Sequence, residues 1–280
     1  MQAEDKNTSF LHNSGKTRVI NNNIEKIIGE DGQEIKGQEE IKNEVFRHFK
    51  TLLSAVDSQE NPEEFLKHIP KVIDMETNNF LTKEVTEEVK AIVWDLQLDK
   101  ASGPDGFPIA FYDTFWHLIK NYLMKMIRYV IRKKKIGGFT NCTFLSLIPK
   151  DPRPSSLNRF RPISLCNSSY KIISKIIASR LKPLLPSLIS ENQGIFFPNR
   201  QIVHNIILVQ EALHTSLSRN EKGFILKMDM VNAFDRVNLS FLTSILKRFG
   251  FSDDIVNLIQ ACTTGPWIAP HVNGRPCEFF

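Results

Sequence analysis

The chain has 280 residues, 41% of them hydrophobic and 20 of them phenylalanine, which is enough to bury a core and excludes wholesale disorder. Its formal charge of +5 is unevenly spread: fifteen Lys or Arg and a single acid, Asp151, lie between His117 and Lys182. No signal-peptide pattern, bilayer-length apolar run or C-x-x-C spacing among Cys142, Cys166, Cys262 and Cys277 is found, so no membrane partner and a nuclear or cytoplasmic rather than secreted location are expected.

Residues 1–22 are polar and basic and read as a connector. Ile24 to Ile28 and Glu34 to Ile35 flank Asp31-Gly32, a hairpin signal. Ile41, Val45, Phe49 and Leu52 recur at helical spacing; residues 54–80 read as loop-rich, with Pro62 and Pro70 as breakers. Val85, Val89, Ile92, Val93 and Leu96 form a second helical stripe. The Gly-Pro and Asp-Gly pairs within 100–108 force a turn, and Pro108 suits the start of a helix reaching Lys135, with Phe111, Phe115, Leu118, Tyr122 and Val130 inward.

Arg132, Lys133, Lys134 and Lys135 fall in the last turn of that helix. They complement its dipole, or, with the rest of the basic block, form an electrostatic footprint for a polyanion such as nucleic acid. Residues 143–149 and 161–165 read as two strands of an antiparallel hairpin, with Lys150 and Arg161 at the loop end. The helix predicted from Ser169 to Lys182 has Ile172, Ile173, Ile176, Ile177 and Leu181 on its apolar face and Lys171, Lys175 and Arg180 on its polar side. Further helices are expected over 202–213, over 239–249 ended by Gly250, and over 253–261 capped by Ser252.

The apolar run Phe224 to Met228 reads as a buried strand that delivers Asp229 at its tip. A carboxylate there either caps a turn or is a hard oxygen ligand of the kind Mg²⁺-dependent nucleotidyl transfer requires. A phosphoaspartate hydrolase would carry a second Asp at 231, which is Val.

Taken in order, these segments resemble the reverse transcriptase of non-LTR retrotransposons (long interspersed elements), most closely the plant type. Residues 5–12 (Asp-Lys-Asn-Thr-Ser-Phe-Leu-His) resemble the connector of those elements, 100–108 the Gly-Pro-Asp-Gly-Phe-Pro extension, and 148–150 with 159–165 the fingers hairpin. Residues 193–205 resemble the Gln-x-x-Phe-x-x-Gly-Arg segment, with Asn199 in place of Gly and His204 in place of Asp; 228–237 resemble the first palm motif.

The resemblance implies an α+β right-hand polymerase. Residues 1–80 would be the connector and helical N-terminal extension, and 81–280 the fingers and an incomplete palm. It implies RNA template, DNA primer and deoxynucleoside triphosphates as partners, and two Mg²⁺ ions as cofactor. By this resemblance Asp229 is the catalytic carboxylate and, with the Met230 carbonyl, a metal ligand. Lys150 and Arg161 would grip the incoming triphosphate, Phe234 would act as a steric gate under its sugar, and Arg200 would join the basic quartet against nucleic acid. The aromatic-x-Asp-Asp segment of the family is not found before Phe280. One carboxylate cannot hold two ions about 3.5–4 Å apart, so this chain alone is expected to be inactive. The alternative is a non-catalytic nucleic-acid-binding fragment that uses 117–182.

Overall fold

The computed structural model describes residues 22–29, 31–54, 63–152, 154–194, 197, 200–229, 233 and 237–280. The expected connector, Met230 and Phe234 therefore lie outside the described residues. The chain divides into two compact units, the first drawn from Met1–Val56, Glu84–Ile176 and Asn257–Phe280, the second from Asp57–Lys83 and Ile177–Val256.

In the first unit the expected hairpin forms. β1 (Lys26–Ile28) pairs antiparallel with β2 (Glu34–Lys36), and Gly32 N donates to Gly29 O at 3.0 Å to close the turn. Glu34 bridges Lys26 and Lys36, and these two ammonium groups hold its carboxyl down to about 2. The helix Gln38–Leu53 follows, burying Ile41, Val45 and Phe49 at the predicted spacing.

β3 (Cys142–Pro149) and β4 (Phe160–Cys166) form the predicted antiparallel hairpin. They belong to a four-stranded sheet of order β4-β3-β5-β6, in which β5 (Trp267–Val272) runs parallel to β3 and pairs antiparallel with β6 (Arg275–Pro276). Asn273 and Gly274 join β5 to β6 with φ of 51° and 78°, the doubly positive backbone of a tight hairpin turn that Asn-Gly favours. The Asn273 side chain also accepts from Ile24 N at 2.7 Å and donates to Gln38 Oε1 at 2.9 Å, tying that turn to the N-terminal hairpin and helix. Ile27, Val45, Phe49, Leu145, Leu147, Phe160 and Val272 share one core beneath the sheet.

The long helix predicted from Pro108 is broken. It forms as Ile109–Thr114 and Trp116–Lys133, separated at Phe115, whose ψ of 18° departs from helical values. The break turns the second segment, so Leu123, Ile127, Val130 and Ile131 are buried, whereas Leu118 and Tyr122, expected inward, are exposed. Only Arg132 and Lys133 of the quartet lie in its last turn. Lys134 caps it in the left-handed conformation, its N–H donating to Val130 O at 2.8 Å, and Lys135 lies beyond.

In the second unit, residues expected to be loop-rich contain the helices Glu63–Leu66 and Met75–Thr82. Asp74 starts the latter by accepting from Thr77 N at 2.8 Å, a local cap that loop composition concealed. Asn78 then fixes this helix to the end of the helix Leu239–Phe249: it donates to Gly250 O at 2.9 Å and accepts from Ser252 N at 2.8 Å. Arg180, expected on a polar face, is buried instead and donates to Leu81 O at 2.9 Å and Lys83 O at 2.7 Å. It satisfies carbonyls left open at a helix C-terminus. The helices Ile202–Ser218 and Asp253–Thr263 form as the periodicity predicts, the former extending five residues further.

Candidate nucleotide and nucleic-acid site

The β3–β4 register places the two predicted phosphate-binding cations together. Arg161 lies opposite Ile148, and the ladder continues past Pro149 with Lys150 N donating to Arg159 O at 2.8 Å. Thr143, Leu145 and Leu147 are buried, so alternation sends Ser146 and Ile148 to the other face. Arg161 and Lys150 share that second face and both are exposed. The Lys150 ammonium already donates to Asn158 O at 2.9 Å, and Arg159 pairs with Asp151 at 2.8 Å. Among the described residues the Arg161 guanidinium makes no such bond, so its donor fork is available for a phosphate.

Asp229 belongs to the second unit, and the strand expected to carry it does not form. Residues 221–229 have no regular structure and are exposed, with Phe224 at 92% and Met228 at 80% of full exposure. An apolar, β-prone run becomes a strand only when a partner supplies its hydrogen bonds, and among the described residues none pairs with it. No cluster of three or more metal-ligating side chains occurs among the described residues. Asp229 is chemically suited to Mg²⁺ as a hard oxygen donor, but a single carboxylate does not fit a two-ion centre.

Arg200 is committed locally. Its guanidinium donates to Ser190 O at 2.7 Å, Gln193 O at 3.0 Å and Ile189 O at 3.3 Å, and it stacks 4.3 Å from the Phe197 ring centroid. These bonds tie Ile189, Ser190 and Gln193 to the position just before Ile202–Ser218.

Comparison with known proteins bears on the same span. Residues 148–280 match the family model described as reverse transcriptase (RNA-dependent DNA polymerase). The chain is also similar to the transposon TX1 uncharacterized 149 kDa protein of Xenopus laevis, at 25% identity over 257 residues. Residues 148–280 are thus similar to a reverse transcriptase domain, and the chain as a whole is similar to a transposon protein. The alignment covers 91% of this chain and 20% of the Xenopus protein, so the chain spans about a fifth of its relative's length. The mixed helix and sheet architecture is compatible with the expected α+β class, and among the described residues no helix is long and apolar enough to cross a membrane.

The start of the helix Ser168–Leu181, inside the matched span, holds residues that carry no motif. Asn167, buried at the junction of β4 and the helix Ser168–Leu181, donates to Phe139 O at 2.9 Å and accepts from Asp105 N at 3.0 Å. Ser168 Oγ donates to Phe107 O at 2.6 Å. Together they clamp the Gly-Pro-Asp-Gly turn onto the end of the hairpin that carries Arg161. Burial raises the Asp105 carboxyl above its ordinary value, against the opposing pull of the Phe107 amide and of Lys171, whose ammonium donates to Ala101 O at 2.9 Å. The turn itself was legible from its glycines and proline; the asparagine beneath it carries no sequence signal of its own.

Proposed function

We propose that this domain serves RNA-directed DNA polymerisation, with RNA template, DNA primer and deoxynucleoside triphosphates as partners. Residues 81–280 correspond in this reading to fingers and a partial palm, and residues 1–80 to connector and N-terminal extension. Arg161, with Lys150 beside it, holds the triphosphate; Asp229 and the Met230 carbonyl contribute oxygen ligands to Mg²⁺; Phe234 lies against the sugar. Arg132, Lys133, Lys134, Lys135 and Arg200 contact the nucleic-acid backbone. The observation that carries the reading is the exposed Arg161–Lys150 pair on one face of a hairpin inside the reverse transcriptase match. Cations held in that way suit transferring phosphates.

A single carboxylate is short of what two ions require, so the 280-residue chain alone is expected to give no primer extension on RNA with Mg²⁺ or Mn²⁺. Supplying in trans a polypeptide that bears the family's aromatic-x-Asp-Asp hairpin should restore extension, and Asp229→Ala should abolish the restored activity. Triphosphate binding tests the hairpin separately. Arg161→Gln should weaken it by about tenfold to a hundredfold, in keeping with one charged hydrogen-bonding group of about 1.5–3 kcal/mol, and Lys150→Gln should weaken it less, because that ammonium is shared with Asn158. Unchanged triphosphate binding in Arg161→Gln would overturn the assignment. RNA binding without any triphosphate binding would favour the second reading, a non-catalytic nucleic-acid module, which the exposure of Arg132, Lys133 and Lys135 supports.

A further inference from the structure

The helix Trp116–Lys133 contains five basic residues and no acid, and its outer face is not purely charged. Leu118, Tyr122, Lys125, Tyr129 and Arg132 follow one another at spacings of three or four, which aligns them along one side of the helix. All five are exposed, Tyr122 at 75% and Tyr129 at 56%. The opposite side, formed by Leu123, Ile127, Val130 and Ile131, is the buried one.

Two tyrosines on the wet side of a helix that has its own apolar face contribute nothing to the core. Neither ring pairs with another aromatic ring or hydrogen-bonds among the described residues. They lie two turns apart, about 10.5 Å along the axis, too far to stack on each other at the usual 4.5–7 Å between ring centroids. Each ring is thus open to a flat, apolar partner from solution. Lys125 lies between them and Arg132 and Lys133 follow, with no ion pair among the described residues; Arg128, at the flank, pairs instead with Glu84 at 3.0 Å. Rings alternating with cations, without a carboxylate on the helix, complement a chain of bases strung along phosphates. They do not complement an acidic peptide, which offers charge but no stacking partners.

We propose that this face of Trp116–Lys133 is a stacking platform for single-stranded RNA, with Tyr122 and Tyr129 each taking a base and Lys125, Arg132 and Lys133 the intervening phosphates. The inference rests on the reading that the chain handles nucleic acid, and extends it to a surface separate from the Arg161–Lys150 hairpin. Base–aromatic stacking of this kind is sequence-tolerant because every base has a π-face.

The test is equilibrium binding of the full chain to a single-stranded oligoribonucleotide of mixed sequence and to an RNA duplex of equal length, at fixed salt. Tyr122→Ala and Tyr129→Ala should each weaken single-strand binding about fivefold or more, and the double variant roughly thirtyfold, with duplex binding unchanged. Tyr122→Phe and Tyr129→Phe should bind like the parent, because stacking needs the ring and not the hydroxyl. The salt dependence should keep its slope in all the tyrosine variants, since no phosphate contact is removed. Alanine variants that bind single strands normally would overturn the proposal while leaving the nucleic-acid reading intact. Phenylalanine variants as weak as alanine, or equal losses on duplex, would also overturn it. Failure of the unaltered chain to bind RNA would remove both.

Discussion

Gly103 and Gly106 occupy one tight turn, yet substitution at each should fail for a different reason. A Cβ built on Gly103 would lie 2.4 Å from both the amide nitrogen and Oδ1 of Asn167, and 2.5 Å from the Cys166 carbonyl carbon. Relief requires a shift of about 1 Å against backbone, since ordinary contacts between such atoms are about 3.5 Å or more. That shift breaks the bond from Asp105 N to Asn167 Oδ1, now 3.0 Å. Overpacking costs about 1–3 kcal/mol and a lost buried hydrogen bond about 1 more, so Gly103→Ala should lose about 3 kcal/mol. Gly106 has open space around it but φ of 75°, so Gly106→Ala should cost only the left-handed penalty of about 1–2 kcal/mol. At about 2–4 °C per kcal/mol for a domain of 150–250 residues, thermal melts followed by circular dichroism should separate the two variants by several degrees. Asn at 106, which tolerates positive φ, should recover part of the loss seen with Ala. A melt in which Gly103→Ala is no worse than Gly106→Ala would refute the close approach to Asn167.

Replacing Arg132, Lys133, Lys134 and Lys135 together by Gln should lower the slope of log K against log salt for single-stranded RNA by up to about 3, since each phosphate contact contributes roughly 0.7; an unchanged slope in a filter-binding titration would place the footprint elsewhere. Arg180→Leu should destabilise the second unit by about 3 kcal/mol by leaving the Leu81 and Lys83 carbonyls unpaired, read as an earlier urea transition, and a change within the noise of that transition would contradict the capping role. Tyr170 donates to Cys262 O at 2.7 Å, and burial raises its phenol to about 12. The neutral form is the one the fold favours, so this contribution is whole below the unfolded value of about 10 and is lost as pH rises towards 12. Tyr170→Phe should therefore flatten the alkaline limb of a stability–pH curve, and an identical limb in parent and variant would refute the assignment.

Where periodicity and partner lie close in sequence, the fold was readable. The β3–β4 hairpin and the helix Gln38–Leu53 follow their spacing almost residue for residue. The helix Trp116–Lys133 carries two competing stripes, and aromatic residues at helical spacing suggest core on pattern alone. The aliphatic stripe Leu123, Ile127 and Ile131 is buried instead, leaving the tyrosines outside. β5 was hidden by Pro270, a residue that argues against an interior strand, although it sits opposite Leu145 while its carbonyl accepts from Cys277 N at 2.7 Å. Phe224 to Met228 shows the converse: strand composition without a partner yields no strand. Of the candidate site, Lys150 and Arg161 were legible because a hairpin fixes their register. The carbonyl partners of Arg180 and Arg200 were not, because a cation's sequence neighbours do not reveal which carbonyls it will meet.

The position of β5 has a consequence for biosynthesis. β3 gains one neighbour, β4, which begins at Phe160 soon after β3 ends at Pro149, but its other neighbour is β5, which begins more than a hundred residues later at Trp267. As the polypeptide leaves the ribosome, one edge of β3 stays open while the whole intervening stretch is translated, including the apolar run ahead of Asp229. Contacts of such sequence separation are slow to form and leave unpaired edges exposed meanwhile. The sheet that presents Arg161 is therefore among the last parts of this chain to be completed, and nascent chains halted before Trp267 should be the ones that most need chaperone protection.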